Sequence, residues 1–380
     1  MPPRMRSLSW DAVLAWRTAR HGLVERAPAA ALLDVVARLC GVHAQVASSA
    51  ELTLWARLEG LERGAVDRLL WEERALVKTW AMRGTLHLLP AAELPRYVAA
   101  LSRLRPRHHQ PTWLRHHGLE RDEAEAMLAA VPAVLDGALL TREALAAAVA
   151  ERTGNPALAD KLMGGFGDLL KPAAFTGGLC FAPGDGQRVR FTSPRTWLGD
   201  WEPVDPDAAS AAVVRDYLRA YGPAPREQFQ RWFGMTSPAE AGRWLKALGD
   251  EVEQVEVDGT RGWMLAADVA EAAAAAPTGV VRLLPGFDPY VVGAPRGQDA
   301  VLAGNRRDRV YRAQGWLSPV LLVDGRIVGV WSHERRGGRL HVEVDAFARP
   351  HAALRTAVEA EVERLAAFLG GAAALRWLSG

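Results

Sequence analysis

Apolar residues recur at three- and four-residue spacing along most of the chain, broken by short alternating stretches, and the order helix, helix, helix, hairpin repeats. Ser9 is placed to cap a helix running to about Arg20, and a second helix spans about Ala29 to Cys40 with Gly41 as its stop. Ser48 and Glu51 make an S-x-x-E capping box, which opens a helix carrying Leu52, Trp55 and Leu58 on one face. After a short helix near Ala65–Glu72, "LVKTWAM" and "TLHLLP" read as two strands around a turn at Arg83-Gly84.

The pattern then starts again. Helices are expected near Asp122–Leu135, Thr141–Arg152 and Pro156–Leu170, followed by the hairpin "LCFAPGDGQRVRF" turning at Gly184-Asp185-Gly186. In the third repeat "SAAVVRDYLRAYG" and "REQFQRWFG" read as helices. "SPAEAGRWLKALG" is a third helix, with Ser237 as N-cap, Pro238 at its first turn and Glu240 two residues on. "EVEQVEVDGTRGWML" folds back around Asp258-Gly259, a dipeptide favoured in two-residue turns. Three helices and a hairpin make a winged helix-turn-helix. Beyond Pro277 the pattern turns to strands, closed by an amphipathic helix over about Ala352–Leu369. The expected class is α+β, with winged-helix units at 1–120, 121–205 and 206–276 and a β-rich region at 277–380.

Composition narrows the class of protein. With 49% hydrophobic and 24% charged residues, the chain reads as globular with a sizeable core. Charges interrupt every Ala-rich stretch, so no membrane span is expected, and "MPPRMRSLSWDAV" lacks the apolar core of a signal peptide. A cytoplasmic protein follows. Cys40 and Cys180 cannot alone build a disulfide framework or a zinc site, and both read as buried thiols. The net charge of +2 neither demands nor excludes nucleic acid. The basic residues are nearly all arginine, however, with lysine only at 78, 161, 171 and 246. Arginine's planar fork suits phosphate.

Three stretches carry candidate chemistry. His43 and Gln45 lie in the connector "GVHAQVASSAEL"; residues two apart share a face on extended chain, so both can enter one pocket. The same pair could instead satisfy orphan backbone groups at the two helix ends. In "RPRHHQPTWLRHHG" (Arg105–Gly118), His108, His109, His116 and His117 have no Cys, Asp or Glu among them, so a solvated basic segment is expected and no metal. Basic hairpins form the third group. Arg188 and Arg190 alternate with Val189 and Phe191, while Arg335, Arg336 and Arg339 crowd a Gly-rich turn. Such tips can grip phosphate or enter a groove, or be ordinary solvated turns. The best-defined third helix exposes chiefly Arg243 and Lys246, too few for simple major-groove reading. Walker, Rossmann, H-E-x-x-H and G-x-S-x-G motifs are all missing.

"TWAMRGTLHLLP" (Thr79–Pro90), "RLLPGFDPYVVG" (Arg282–Gly293), "PVLLVDGRIVGVW" (Pro319–Trp331) and "LWARLEG" (Leu54–Gly60) together resemble the winged-helix DNA glycosylases of the AlkZ and YcaQ type, over nearly the whole chain. The resemblance implies three tandem winged helices in a C-shaped, DNA-embracing body. It also implies excision of alkylated bases, including bulky natural-product adducts and crosslinks. The family's Q-x-Q or Q-x-D catalytic motif falls on His43 and Gln45, with His in place of the first Gln. A second departure is "APRGQ", where the family commonly has Asp-Arg after "FDPYVVG".

With no lysine in the connector to form a Schiff base and no ligand cluster evident, a metal-independent monofunctional glycosylase acting on double-stranded DNA is expected. It would need no cofactor and no obligate protein partner, working as a monomer near the nucleoid in repair or self-resistance. Arg83 and His87 of the first hairpin, with Arg188, Arg190, Arg335, Arg336 and Arg339, are the expected DNA contacts. A non-catalytic winged-helix regulator, or a scaffold binding protein, would keep the fold without needing the His-Gln pair.

Overall fold

The computed structural model describes residues 5–104, 107–294 and 297–378. Arg105 of the histidine-rich stretch and Arg296 of "APRGQ" lie outside them. The chain forms two compact units: one of Met1–Ala65, Val214–Trp232 and Pro238–Gly380, the other of Val66–Val213 and Phe233–Ser237.

In the first unit, Ser9 caps the helix Trp10–Arg20 as expected, its hydroxyl accepting from the amide of Ala12. That helix sends Val13 and Trp16 into a core shared with Leu8, Val255, Val257 and Met264. The hairpin Val252–Val257 and Thr260–Leu265 thus gains a third, parallel strand from the chain's beginning, Ser7–Leu8. Its turn places Asp258 and Gly259 at φ 44° and 79°, the left-handed pair that an Asp-Gly turn requires.

Two expected helix signals shift. The second helix, Leu32–Arg38 after a 3₁₀ turn, ends in a Schellman arrangement. Gly41 N–H donates to the Val36 carbonyl and Cys40 N–H to that of Ala37. Cys40 itself therefore takes the left-handed position, φ 58°, where Gly41 was expected. The Ser48–Glu51 box does not form. Val46 holds the extended N-cap position and Ser48 already lies inside the helix Ala47–Trp55, so its hydroxyl cannot cap. Glu51 accepts instead from the amide of Gly64, 3.2 Å away.

The C-terminal sheet runs Val281–Leu284, Val320–Val323, Arg326–Arg336, Arg339–Ala346 and Ala373–Leu378. The first four are antiparallel neighbours, and the helix Ala352–Leu369 crosses over to deliver the fifth in parallel. That last strand was not anticipated.

The second unit contains the winged helix expected for its part of the chain. Helices Arg121–Leu135, Arg142–Thr153 and Ala157–Met163 precede the hairpin Cys180–Asp185 and Arg188–Thr192, to which Leu140–Thr141 adds a strand. The expected Pro156–Leu170 helix stops early because Gly165 and Gly167 adopt φ 57° and 79°, conformations glycine accepts at little cost. Trp80, Phe181 and Phe191 pack as a ring cluster with centroids 4.9 to 5.9 Å apart. Both cysteines are buried, and burial pushes the Cys180 thiol up to about 12.

Candidate active site and nucleic-acid interface

The connector after Gly41 is a short strand, Val42–His43, that bends at Gln45 before the helix at Ala47. The bend gives the pair unequal surroundings. His43 is 7% exposed, whereas Gln45 is exposed. The His43 imidazole lies flat on Phe287, with centroids 4.9 Å apart and planes 10° from parallel. One face of that ring is thereby closed to water.

Phe287 is held there against its own preference. At φ 62° it occupies a region that a bulky side chain normally avoids, and such a conformation persists only where neighbours over-determine it. Two neighbours do so. Asp288, fully buried, meets the fully buried Arg57 through two hydrogen bonds of 2.7 and 2.8 Å. It also accepts from Tyr290 N–H, capping the short helix Pro289–Gly293. Arg57 spends its other donors on the carbonyls of His21 and Thr53, at 2.9 and 2.8 Å. On the other side, a Cβ on Gly286 would stand 2.7 Å from the Leu317 carbonyl oxygen; only glycine allows this approach. The loop so admitted carries Trp316, whose ring centroid is 5.4 Å from that of Phe287.

Sequence reasoning gave Arg57, Phe287, Asp288 and Trp316 no role. A charge inside each of the apolar runs "LTLWARL" and "PGFDPYVVG" was the available signal. Pairing those charges across 231 positions could not be read from one sequence. Burial also acts on His21, whose Nε2 lies 3.1 Å from the Ala220 carbonyl. Desolvation, then Arg57 and Arg17, hold its pKa well below the usual histidine value.

In the second unit, the first hairpin turns through Arg83 at φ 61°. His87, expected as a DNA contact, is only 3% exposed. Its Nδ1 faces the Thr85 carbonyl at 2.9 Å and its Nε2 faces Arg83 Nη2 at 3.3 Å. The network assigns the proton to Nδ1, leaving Nε2 to accept from the guanidinium. His87 therefore orients Arg83. The nearest lysine in sequence to the connector's far side, Lys78, lies over the Phe181 ring at 5.4 Å, and burial lowers its pKa.

The histidine-rich stretch lies at the surface as expected, with none of the residues of its helix buried, but it is ordered. It forms a 3₁₀ turn at Arg107–His109 and a helix, Pro111–His117. His108, His116 and His117 line a cavity of about 170 Å³ with Trp113 and Phe175. Burial first, then the neighbouring histidine, lowers the pKa of His108 and of His117. Among the described residues, no group of three or more His, Cys, Asp or Glu could hold a metal ion.

The basic hairpins divide by what their arginines already do. Arg190 donates to the Pro183 carbonyl at 2.7 Å and Arg188 pairs with Asp185 at 2.8 Å. Arg335 donates to the carbonyls of Leu369 and Gly370 at the end of the closing helix. Its guanidinium is thus a helix cap. Arg336 pairs with Glu334 at 2.6 Å, and Arg339 is exposed. No helix among the described residues is long and apolar enough to cross a membrane.

A winged-helix chain with this connector and this locked turn matches the family model for AlkZ-like DNA glycosylases over residues 36–368. A Streptomyces sahachiroi protein described as an interstrand DNA cross-link repair glycosylase is 40% identical over 327 residues, covering 85% of this chain and 87% of that relative. The solved structure of the Streptomyces sahachiroi DNA glycosylase AlkZ superimposes with a TM-score of 0.88 at 37% identity, over 98% of this chain and 100% of that one. The chain belongs to the AlkZ-like DNA glycosylases, enzymes that hydrolyse N-glycosyl bonds.

Proposed function

We propose that this glycosylase releases purines alkylated at N7 or N3 from duplex DNA, including bulky natural-product adducts, in repair or self-resistance. The description of its Streptomyces relative as acting on interstrand cross-links supports extending the reading to cross-linked purines. The observation that carries it is the connector itself: His43 held flat against Phe287 with exposed Gln45 two residues on, at the position of the family motif.

Alkylation makes the purine cationic, so it leaves without being protonated. As the C1′–N9 bond breaks, its electron pair moves to N9 and neutralises the ring. Water adds its oxygen to C1′ and gives up a proton. Gln45 orients that water through its amide oxygen, and His43 accepts the proton, becoming an imidazolium whose charge lies against the Phe287 ring. Such general-base help is typically worth about 10²–10⁴-fold. Arg83, oriented by His87, takes a phosphate, as do Arg336 and Arg339. Arg188, Arg190 and Arg335 contribute where their present partners allow. The four sequence segments, 1–120, 121–205, 206–276 and 277–380, are the sequence divisions of this reading, which the two compact units cut across, and the working form is a monomer at the nucleoid.

Incubation with a panel of duplexes, each carrying one alkylated purine, and scoring of abasic sites tests the reading. Base release from at least one N7- or N3-alkylated duplex, without borohydride-trapped protein, is expected. Binding without release from any of them would mark a regulator instead.

A further inference from the structure

Trp316 is 53% exposed, more than any other large hydrophobic residue so described. A single exposed Trp needs no explanation by itself, but this one is fixed in place. Its loop is closed by a bridge between Tyr311 and Leu317. Within it Arg312 N–H donates to the Trp316 carbonyl at 2.8 Å, and Ser318 N–H to that of Val310 at 2.9 Å. Gln314 and Gly315, at φ 56° and 79°, make the tip. Inward, the indole touches Phe287, and Phe287 touches His43. The three rings form a ladder from the connector to solvent, and Trp316 is its open end.

The charges nearby point the same way. Arg306, Arg307 and Arg309 are each engaged, with the Phe347 carbonyl, Asp299 and Asp345. Arg312, exposed and joined to Trp316 through its backbone N–H, has no ion pair with an acidic residue among the described residues. A rigid aromatic face with a cation beside it is the pairing that binds a nucleobase and its phosphate. The indole face also attracts cations more strongly than any other side-chain ring. An alkylated purine is cationic; its unmodified parent is neutral.

We propose that Trp316 stacks on the cationic alkylated purine and discriminates it from unmodified bases, while Arg312 holds the adjoining phosphate. This rests on the glycosylase reading and names the residue that selects its substrate. Selection here comes from charge on the ring and not from the shape of the alkyl group.

The test uses the full chain and two duplexes that differ at one base, guanine or N7-methylguanine, the latter on a 2′-fluoro sugar that resists hydrolysis. The wild type is expected to prefer the methylated duplex. Trp316→Ala should lose that preference, by roughly 2- to 30-fold as expected for a cation–π contact, with its salt dependence unchanged. Trp316→Phe should keep part of it. Arg312→Ala should keep the preference and lower the salt slope by about one unit. A wild type without preference, or a Trp316→Ala variant that retains it, overturns the proposal. Base release by the wild type from the hydrolysable duplex is scored separately, so failure of the glycosylase reading is seen independently.

Discussion

Two turns in this molecule look alike in sequence and behave oppositely in structure. "PGFDP" and "PGDGQR" each combine glycine with an aspartate. In the first, Asp288 is sunk against Arg57 and Phe287 is forced to positive φ. In the second, Asp185 pairs with Arg188 at the hairpin's exposed tip, beside Val189 at 48% exposure. The first turn is tied to residues 231 positions away, the second to residues three away. The difference lies in burial. A turn that holds the Phe287 ring flat on His43 is over-determined by distant partners, whereas an exposed tip is left to local ones.

The sharpest way to break this comparison is Asp288→Ala. It leaves Arg57 buried without its carboxylate, which costs about 3–5 kcal/mol, and denaturant unfolding should show it. Asp185→Ala at the exposed tip should shift stability by less than about 0.5 kcal/mol. Equal effects would erase the distinction.

The next effect concerns pH. His21, beside Arg57, titrates below the ordinary histidine value because burial and then Arg57 and Arg17 disfavour its charged form. The unfolded chain therefore takes up that proton first. Stability from this group is complete above about pH 6.5 and falls below it, by up to about 1.4 kcal/mol per pH unit until the folded-state pKa is passed. His21→Gln should flatten that acid limb in a series of unfolding curves. An unchanged limb would mean that other groups set it.

Smaller effects separate the arginines of the last hairpin. Arg335→Ala should cost about 1 kcal/mol through lost capping of the closing helix, measured by thermal unfolding. Arg336→Ala with Arg339→Ala should leave stability within about 0.5 kcal/mol but lower the salt slope of DNA binding by about two units. The reverse pattern would make Arg335 the phosphate contact.

How much was legible follows the same division. Helices and hairpins set by local chemistry were readable: the Ser9 cap, the Asp258-Gly259 turn and the hairpin of Cys180–Asp185 with Arg188–Thr192 stand where spacing put them. The Ser48–Glu51 box failed because a capping box needs an extended first residue, and only the folded connector decides which residue that is. His43 and Gln45 were readable as a pair, but not their unequal exposure, which depends on a bend and on Phe287. Arg57 with Asp288, and the exposed indole of Trp316, depend on long-range packing. The cavity beside the histidine-rich stretch depends on long-range packing too, since it sets His108, His116 and His117 against Phe175 and Phe233.

Single-turnover excision from the best alkylated duplex, measured for wild type and His43→Ala across pH, tests the proposed catalytic role of the connector most directly. His43→Ala should slow excision by roughly 10²-fold or more while leaving DNA affinity nearly unchanged. Gln45→Ala should do likewise, and the double variant should lose less than the two effects combined, since both groups act on one water. Wild-type activity should fall on the acid side as the imidazole becomes protonated and can no longer accept a proton, and His43→Gln should keep partial activity with that limb flattened. Full activity in His43→Ala, or an acid limb in the wild type that His43→Gln leaves unchanged, would contradict it.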